Sequence, residues 1–266
     1  MKTLTAALVW LVCSSAVSAD SLRLAVTTSF ENSGLADVLL PAIKRELDLN
    51  VELLVVGTGQ ALRLGQAGDV DALLVHAPSA EAAFVASGYG ASRREIMYND
   101  FIVLGPKNDP GQISQSHSAS QAFVALAKGS APFVSRGDDS GTHKAERALW
   151  ENSDLEIEEF GPWYLETGSG MGAALNTASA MGAYVLSDRA SWLNFGNQDD
   201  LEIVFQGDAA LFNQYSFIAV DPTRHDHVKF KLANNLEDWL VGESARELVD
   251  SYELNGARLF THNAKF

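Results

Sequence analysis

LRLAVTTSFENSGLADVLLPAIKRELDLNVELLVVGTGQALRLGQAGDVDALLV, residues 22–75, decides the fold. Leu22 to Val26 is a short apolar run, and polar residues 27–34 follow it as a loop. Apolar residues at 35, 38, 39, 43 and 47 then recur at helical spacing. Residues 51–56 form a predominantly apolar run suited to a buried parallel strand. Gly57 and Gly59 break it, residues 60–66 predict a short helix, and residues 70–75 the next strand. This βαβαβ order predicts an α/β layer with a mostly parallel sheet.

The pattern restarts downstream. Helices are expected over 120–128, 141–151 and 171–181, and strands over 132–135, 163–166 and 183–186. Two extended stretches, 96–104 and 211–220, end at Gly105-Pro106 and near Asp221-Pro222, and would carry the chain between two lobes. Lobe I would then comprise residues 20–100 plus 218–266, and lobe II residues 101–217. Closing helices over 225–240 and 243–252 would pack on lobe I, with His225 and His227 at a solvated helix start.

Residues 1–19 read as a cleavable export signal. Lys2 is its positive end, Leu4 to Val12 its apolar stretch, and Val17-Ser18-Ala19 its small-residue cleavage site. That apolar stretch is shorter than the roughly 20 residues a membrane-spanning helix needs. Cys13, the sole cysteine, lies inside the signal, so the mature chain has no disulfide and relies on its core. The formal net charge is −15, or −16 once Lys2 is removed. Nucleic acid is excluded as a partner, because phosphate binding needs basic patches. An anion site on so acidic a surface must work through local donors rather than long-range attraction.

Four Gly- or hydroxyl-rich loops follow strands and open helices: 27–34, 57–60, SRGDDSGTH at 135–143, and TGSGMG at 167–172. In open α/β sheets ligands gather beyond the carboxyl ends of the strands, where helix N-termini offer free N–H groups. SRGDDSGTH admits three readings: a nucleophile loop, an acidic metal loop, or an anion cradle. Ser140 is placed to cap the helix beginning at Gly141. Arg136 stands just before it, and Asp138 or Asp139 would hold its guanidinium. A serine hydrolase using Ser140 would need a histidine base in a recognisable context, and the G-x-S-x-G elbow is absent. No D-x-D-x-D-G calcium run is present, and His225-Asp226-His227 has divergent helical spacing, so no metal ligands and no cofactor are expected.

GTGQALRLGQAGDVDALLVHAPSAEAAFVASGYGASRREIMYNDFIVLGP (57–106) closely resembles the TupA-type tungstate-binding proteins of bacterial ABC importers. TTSFENSGL, FVSRGDDSGTHKAERALW, WYLETGSGMGAAL, AYVLSDR and LFTHNA resemble the same group, in order, through nearly the whole mature chain. The resemblance implies a two-lobed type II periplasmic binding protein, each lobe a mostly parallel sheet flanked by helices, joined by two crossover strands. It implies a monomeric, non-enzymatic protein of the periplasm that binds tungstate between the lobes and passes it to an inner-membrane ABC permease. Molybdate is the first alternative ligand, then phosphate or sulfate.

By the same resemblance the anion would be held by Thr27, Thr28 and Ser29, by Thr58 and Gly59, and by Arg136, Ser140, Gly141 and Thr142. Ser169 and Gly170 of the fourth loop belong to a segment in which the family more often has Gln at the position of Ser169. Phosphate binders carry an aspartate before an Ala-Pro pair. Here His76 stands in that place, which would favour an oxyanion that carries no proton.

Overall fold

The computed structural model describes residues 20–265, so the export-signal reading of residues 1–19 lies outside the described residues. The strands are β1 (Asp20–Thr27), β2 (Leu49–Val56), β3 (Ala72–Val75), β4 (Arg94–Pro106), β5 (Phe133–Ser135), β6 (Tyr164–Glu166), β7 (Tyr184–Asp188), β8 (Leu201–Phe205) and β9 (Phe212–Ala219). Very short strands at 253–254, 257–258 and 261–262 follow near the C-terminus. The helices are α1 (Thr28–Asn32), α2 (Ala36–Leu47), α3 (Thr58–Ala67), α4 (Pro78–Ala86), α5 (Ala119–Gly129), α6 (Gly141–Glu151), α7 (Met171–Met181), α8 (Arg189–Leu193), α9 (Phe230–Val241) and α10 (Glu243–Ser251).

The main sheet runs β2-β1-β3-β9-β4-β7-β5-β6, with β8 also on β4. β1 pairs in parallel with β2 and β3, and β5 in parallel with β6 and β7. These are the two βαβ layers; the inner strands β3, β5 and β7 are buried throughout, whereas the outer strands β2 and β6 are partly exposed. The 13-residue β4 joins them: Arg94 to Asp100 pair with β9, and Phe101 to Pro106 with β7 and β8. The pairing partner thus changes between Asp100 and Phe101, within the first expected crossover.

The second crossover differs from expectation. β9 pairs along its whole length with β3 and the first half of β4, so residues 212–217 belong to the first sheet. Their burial explains why. Tyr215 and Phe217 face the cluster of Leu22, Val26, Phe30 and Leu236, while Ile218 faces that of Ala25, Leu73 and Phe84. A strand apolar on both faces needs a central position.

Two other departures have local causes. Residues 28–32 are helical because Thr27 caps them, its Oγ1 accepting the Phe30 amide at 3.2 Å, and because Phe30 is buried. His225 and His227 precede α9 in a turn, where their Nε2 atoms lie 2.9 Å from the Gln66 and Gly68 carbonyls. They meet the last carbonyls of α3 rather than opening a helix. α9 and α10 do pack on the first lobe, through Leu236, Leu240 and Val249. No helix among the described residues is long and apolar enough to cross a membrane.

Candidate anion-binding site

β1, β3, β5 and β7 end at one edge, and the helices that follow begin there. Thr27 ends β1 and is buried. Thr28, half-buried, and Ser29, buried, lie in the first turn of α1. Thr58 and Gly59 form the first turn of α3 and are buried, where the sequence reading began that helix two residues later. Val56 ends the extended run, and Gly57 in an extended conformation lets the helix start at once.

From the second lobe, Ser140 caps α6 by accepting the His143 amide at 3.2 Å, and Gly141 and Thr142 follow it, buried. Arg136 is 2% exposed although it is a full cation. Its Nη2 donates to Asp138 Oδ2 at 2.6 Å, and its Nη1 lies 3.5 Å from Thr142 Oγ1. Of the two aspartates expected to hold Arg136, only Asp138 does so. Its other oxygen accepts the Ser140 amide at 3.2 Å, which ties the arginine to the helix cap.

Asp139 serves a different purpose. It is held in the left-handed region (φ 58°), and its carbonyl accepts the Gly59 amide at 3.2 Å. Its carboxylate receives Arg63 of α3 at 3.3 Å and also pairs with Lys144. These contacts join the N-terminal ends of α3 and α6 across the cleft. A Cβ at 59 would stand 1.8 Å from Asp139 Oδ2 and 3.1 Å from its carbonyl oxygen, so any larger residue there displaces the Asp139 carboxylate.

Among the described residues, Ser29 Oγ, Thr58 Oγ1 and Arg136 Nε are buried and have no hydrogen-bond partner. Buried polar groups are almost always paired, so three donors without partners at converging strand ends mark a site built for an acceptor. The first-turn amides of α3 and α6 add positive potential to it. Ser169 and Gly170 are less well placed. The Ser169 hydroxyl donates to Thr167 Oγ1 at 2.8 Å and its amide to the Arg136 carbonyl at 3.1 Å, while Gly170 is exposed at the cap of α7. That loop braces the backbone of Arg136.

His76 ends up behind the donors. Asn213 Nδ2 donates to Asn99 Oδ1 at 2.6 Å, and Asn213 Oδ1 lies 2.8 Å from His76 Nδ1. The ring stacks on Tyr215, 4.6 Å between centroids, and fills the space beside Gly141, where a Cβ would be 2.6 Å from its Cε1. Burial, helped by the charge of Arg136 and opposed by Asn213, lowers its pKa to about 4. At neutral pH His76 is an uncharged spacer between the lobes.

Ser140 has no base. His143 Nδ1 accepts the Asp139 amide at 3.1 Å, and its Nε2 lies 3.6 Å from Glu166. No group of three or more His, Cys, Asp or Glu able to hold a metal occurs among the described residues. Sequence reasoning missed Asn99, Asn213, Tyr215 and Asp188, which line the buried interior between the lobes. It also missed Glu146, which burial raises to about pH 7 and which accepts Tyr164 Oη at 2.7 Å and Trp150 Nε1 at 3.1 Å. Asp188 alone left a trace, a Ser-Asp pair at the end of an apolar strand, ready to cap a helix.

A family model described as "PBP superfamily domain" matches residues 14–244. The chain is 42% identical over 248 residues to the tungstate-binding protein TupA of Peptoclostridium acidaminophilum, covering 92% of this chain and 86% of that one. It is 32% identical over 241 residues to TupA of Campylobacter jejuni, covering 89% of each. The solved structure of TupA from Desulfovibrio alaskensis G20 superposes with a TM-score of 0.81 at 40% identity, over 93% of this chain and all of that one. The tungstate ABC transporter structure from Geobacter sulfurreducens does so with a TM-score of 0.79 at 44% identity, over 87% and 98%. With its strand order, its two α/β halves and its converging donors, the chain belongs to the PBP superfamily, among the TupA-type binding proteins of ABC transporters.

Proposed function

We propose that this protein captures tungstate between its lobes in the periplasm and delivers it to an inner-membrane ABC permease. The observation that carries the reading is the set of buried donors without partners, Ser29 Oγ, Thr58 Oγ1 and Arg136 Nε, drawn from both lobes to one edge. Arg136 supplies formal charge, while Thr27, Thr28, Ser140 and Thr142 supply hydroxyls, and the amide of Gly141 completes the cradle; Gly59 acts through its close approach to Asp139, to whose carbonyl its amide is bonded. Neutral His76 leaves no carboxylate at its position, which suits a fully deprotonated oxyanion over phosphate. The protein acts as a monomer and performs no catalysis, in keeping with a Ser140 engaged as a helix cap. Lobe closure over the dehydrated anion is the motion expected of such a clamp.

Thermal melting tests the reading. A ligand at 100 times its dissociation constant stabilises a protein by about 2.7 kcal/mol, which for a chain of this size raises Tm by roughly 5–10 °C. Tungstate should produce that shift, and phosphate at the same concentration should not. A flat response to both tungstate and molybdate rules the function out.

The Asp139 contacts predict a retention effect. Gly59→Ala forces Asp139 to turn away and release Arg63, an exposed pair worth up to about 1 kcal/mol. Tungstate affinity should fall by up to about fivefold, mainly through faster release. Stopped-flow dissociation checks this, and an unchanged off-rate would show that the clasp has no part in retention.

A further inference from the structure

The AYVLSDR segment ends in a buried acid that the reading above leaves without a role. Asp188 closes β7 at the cleft edge and caps α8, its Oδ1 accepting the Ser191 amide at 2.9 Å. The side chain is fully buried, and Oδ2 makes no hydrogen bond among the described residues. Beside it stands the Ser29 hydroxyl of α1, whose Oγ meets no partner at full hydrogen-bond geometry and which is near enough to Asp188 to draw its pKa down. Two ionisable groups face it from other strands: the Arg136 guanidinium beyond β5 and the Tyr215 phenol on β9. His76, uncharged, lies behind Tyr215, and Phe101 of β4 pairs opposite Asp188. The neighbouring Arg189 is committed elsewhere, to Asp100 at 2.8 Å. A fully buried carboxyl group thus shares its surroundings with a hydroxyl and feels the charge of the cation assigned to the anion.

The electrostatics there disfavour a carboxylate. Burial raises the pKa of Asp188, against the opposing pull of Ser191, Ser29 and Arg136. Burial, with Asp188 adding to it, also holds Tyr215 well above its ordinary value, so the phenol stays neutral. Arg136 already spends one arm of its fork on Asp138. An oxyanion on Ser29 and Arg136 would bring two further negative charges beside Asp188, and like charges favour the neutral acid. An ionised Asp188 would also draw the Ser29 O–H toward itself, turning lone pairs to the ligand.

We propose that Asp188 is a specificity-determining residue of the anion site: it carries a proton when the anion is bound, and its O–H donates to Ser29 Oγ so that the Ser29 O–H points at the oxyanion. The inference rests on the tungstate reading. The proton comes from solvent, no covalent bond other than O–H changes, and Ser29 accepts one hydrogen bond while donating another. In this state the cleft presents donors and no negatively charged acceptor. An oxyanion without a proton satisfies all of them, whereas one still carrying a proton has nowhere strong to donate it. The sign of the pH effect follows. Asp188 has a higher pKa in the loaded protein than in the free one, so loading takes up a proton and affinity falls as pH rises between those values. Tungstate is fully deprotonated at neutral and alkaline pH and adds no titration of its own there.

Two measurements test this on the full mature chain. Infrared spectra of the tungstate-loaded protein at pH 8, wild type minus Asp188→Asn, should contain the carbonyl stretch of a protonated carboxylic acid. Glu146 is common to both and cancels. Asn keeps the helix cap. Titration calorimetry in buffers of different ionisation heat, run across a pH series, should show proton uptake by the wild type, with the dissociation constant rising by up to about tenfold per pH unit where uptake occurs. That slope should be absent from Asp188→Asn. If the variant does not fold, the wild-type proton count decides alone. Tungstate binding without the acid band, or without proton uptake at any pH at which the wild type stays folded, overturns the role of Asp188 and leaves the tungstate reading standing. No tungstate heat in the wild type overturns both.

Discussion

Arg136→Ala is expected to weaken tungstate binding more than any other single substitution, by roughly two to three orders of magnitude. The guanidinium is almost fully buried and pairs with Asp138 at 2.6 Å, while its Nε is held free of any partner among the described residues. Charge-assisted hydrogen bonds are about twice as strong as neutral ones. Removing one member of a buried pair costs about 3–5 kcal/mol, because the other charge stays behind. Here what stays behind is Asp138, and beside it a cleft meant for a dianion would lose its buried guanidinium. Arg136→Lys should recover only part of the loss, since an ammonium has no planar fork to span Asp138 and the ligand together. Isothermal titration with tungstate measures both variants. Near-wild-type affinity in Arg136→Ala would remove the arginine from the site.

Trp150→Ala should cause the largest loss of stability, about 3–5 kcal/mol and a fall in Tm of roughly 6–20 °C. Trp150 is fully buried on α6, edge-on to Phe123 at 4.3 Å, Phe160 at 5.0 Å and Phe133 at 5.2 Å. Edge-to-face aromatic contacts add to the burial of area alone. Its Nε1 also donates to the buried Glu146, which the alanine would leave with Tyr164 as its remaining side-chain donor at hydrogen-bond distance. Differential scanning calorimetry of the ligand-free protein reports the change. A Tm within 2–3 °C of wild type would mean that the aromatic cluster under α6 contributes little.

The backbone frame was legible because it rests on short-range patterns. Residues 35–47 announce a helix by the spacing of Leu35, Val38, Leu39 and Ile43, and α2 covers Ala36–Leu47. Gly141–Glu151 and Met171–Met181 match the expected spans because a cap and an apolar face define each locally. The place of β9 was not legible for the opposite reason. Whether β9 joins the first or the second sheet depends on which strands leave a doubly covered slot, and that is a long-range property.

In the site, sequence alone determined the chemistry of each loop: an arginine before a capped helix, hydroxyls at strand ends, and glycines where the backbone must come close. These follow from residue type and spacing within about ten residues. Tertiary structure decided how the loops are shared between the lobes. It set Asp138 on Arg136 but Asp139 on Arg63, two neighbours separated by one left-handed turn. It turned His76 toward Asn213 and Tyr215, and it brought Asp188 from 159 residues downstream to the side of Ser29. Local sequence specifies conformation and hydrogen-bonding capacity. Which capacities meet, and which stay buried without a partner until a ligand arrives, depends on how two α/β layers close on each other.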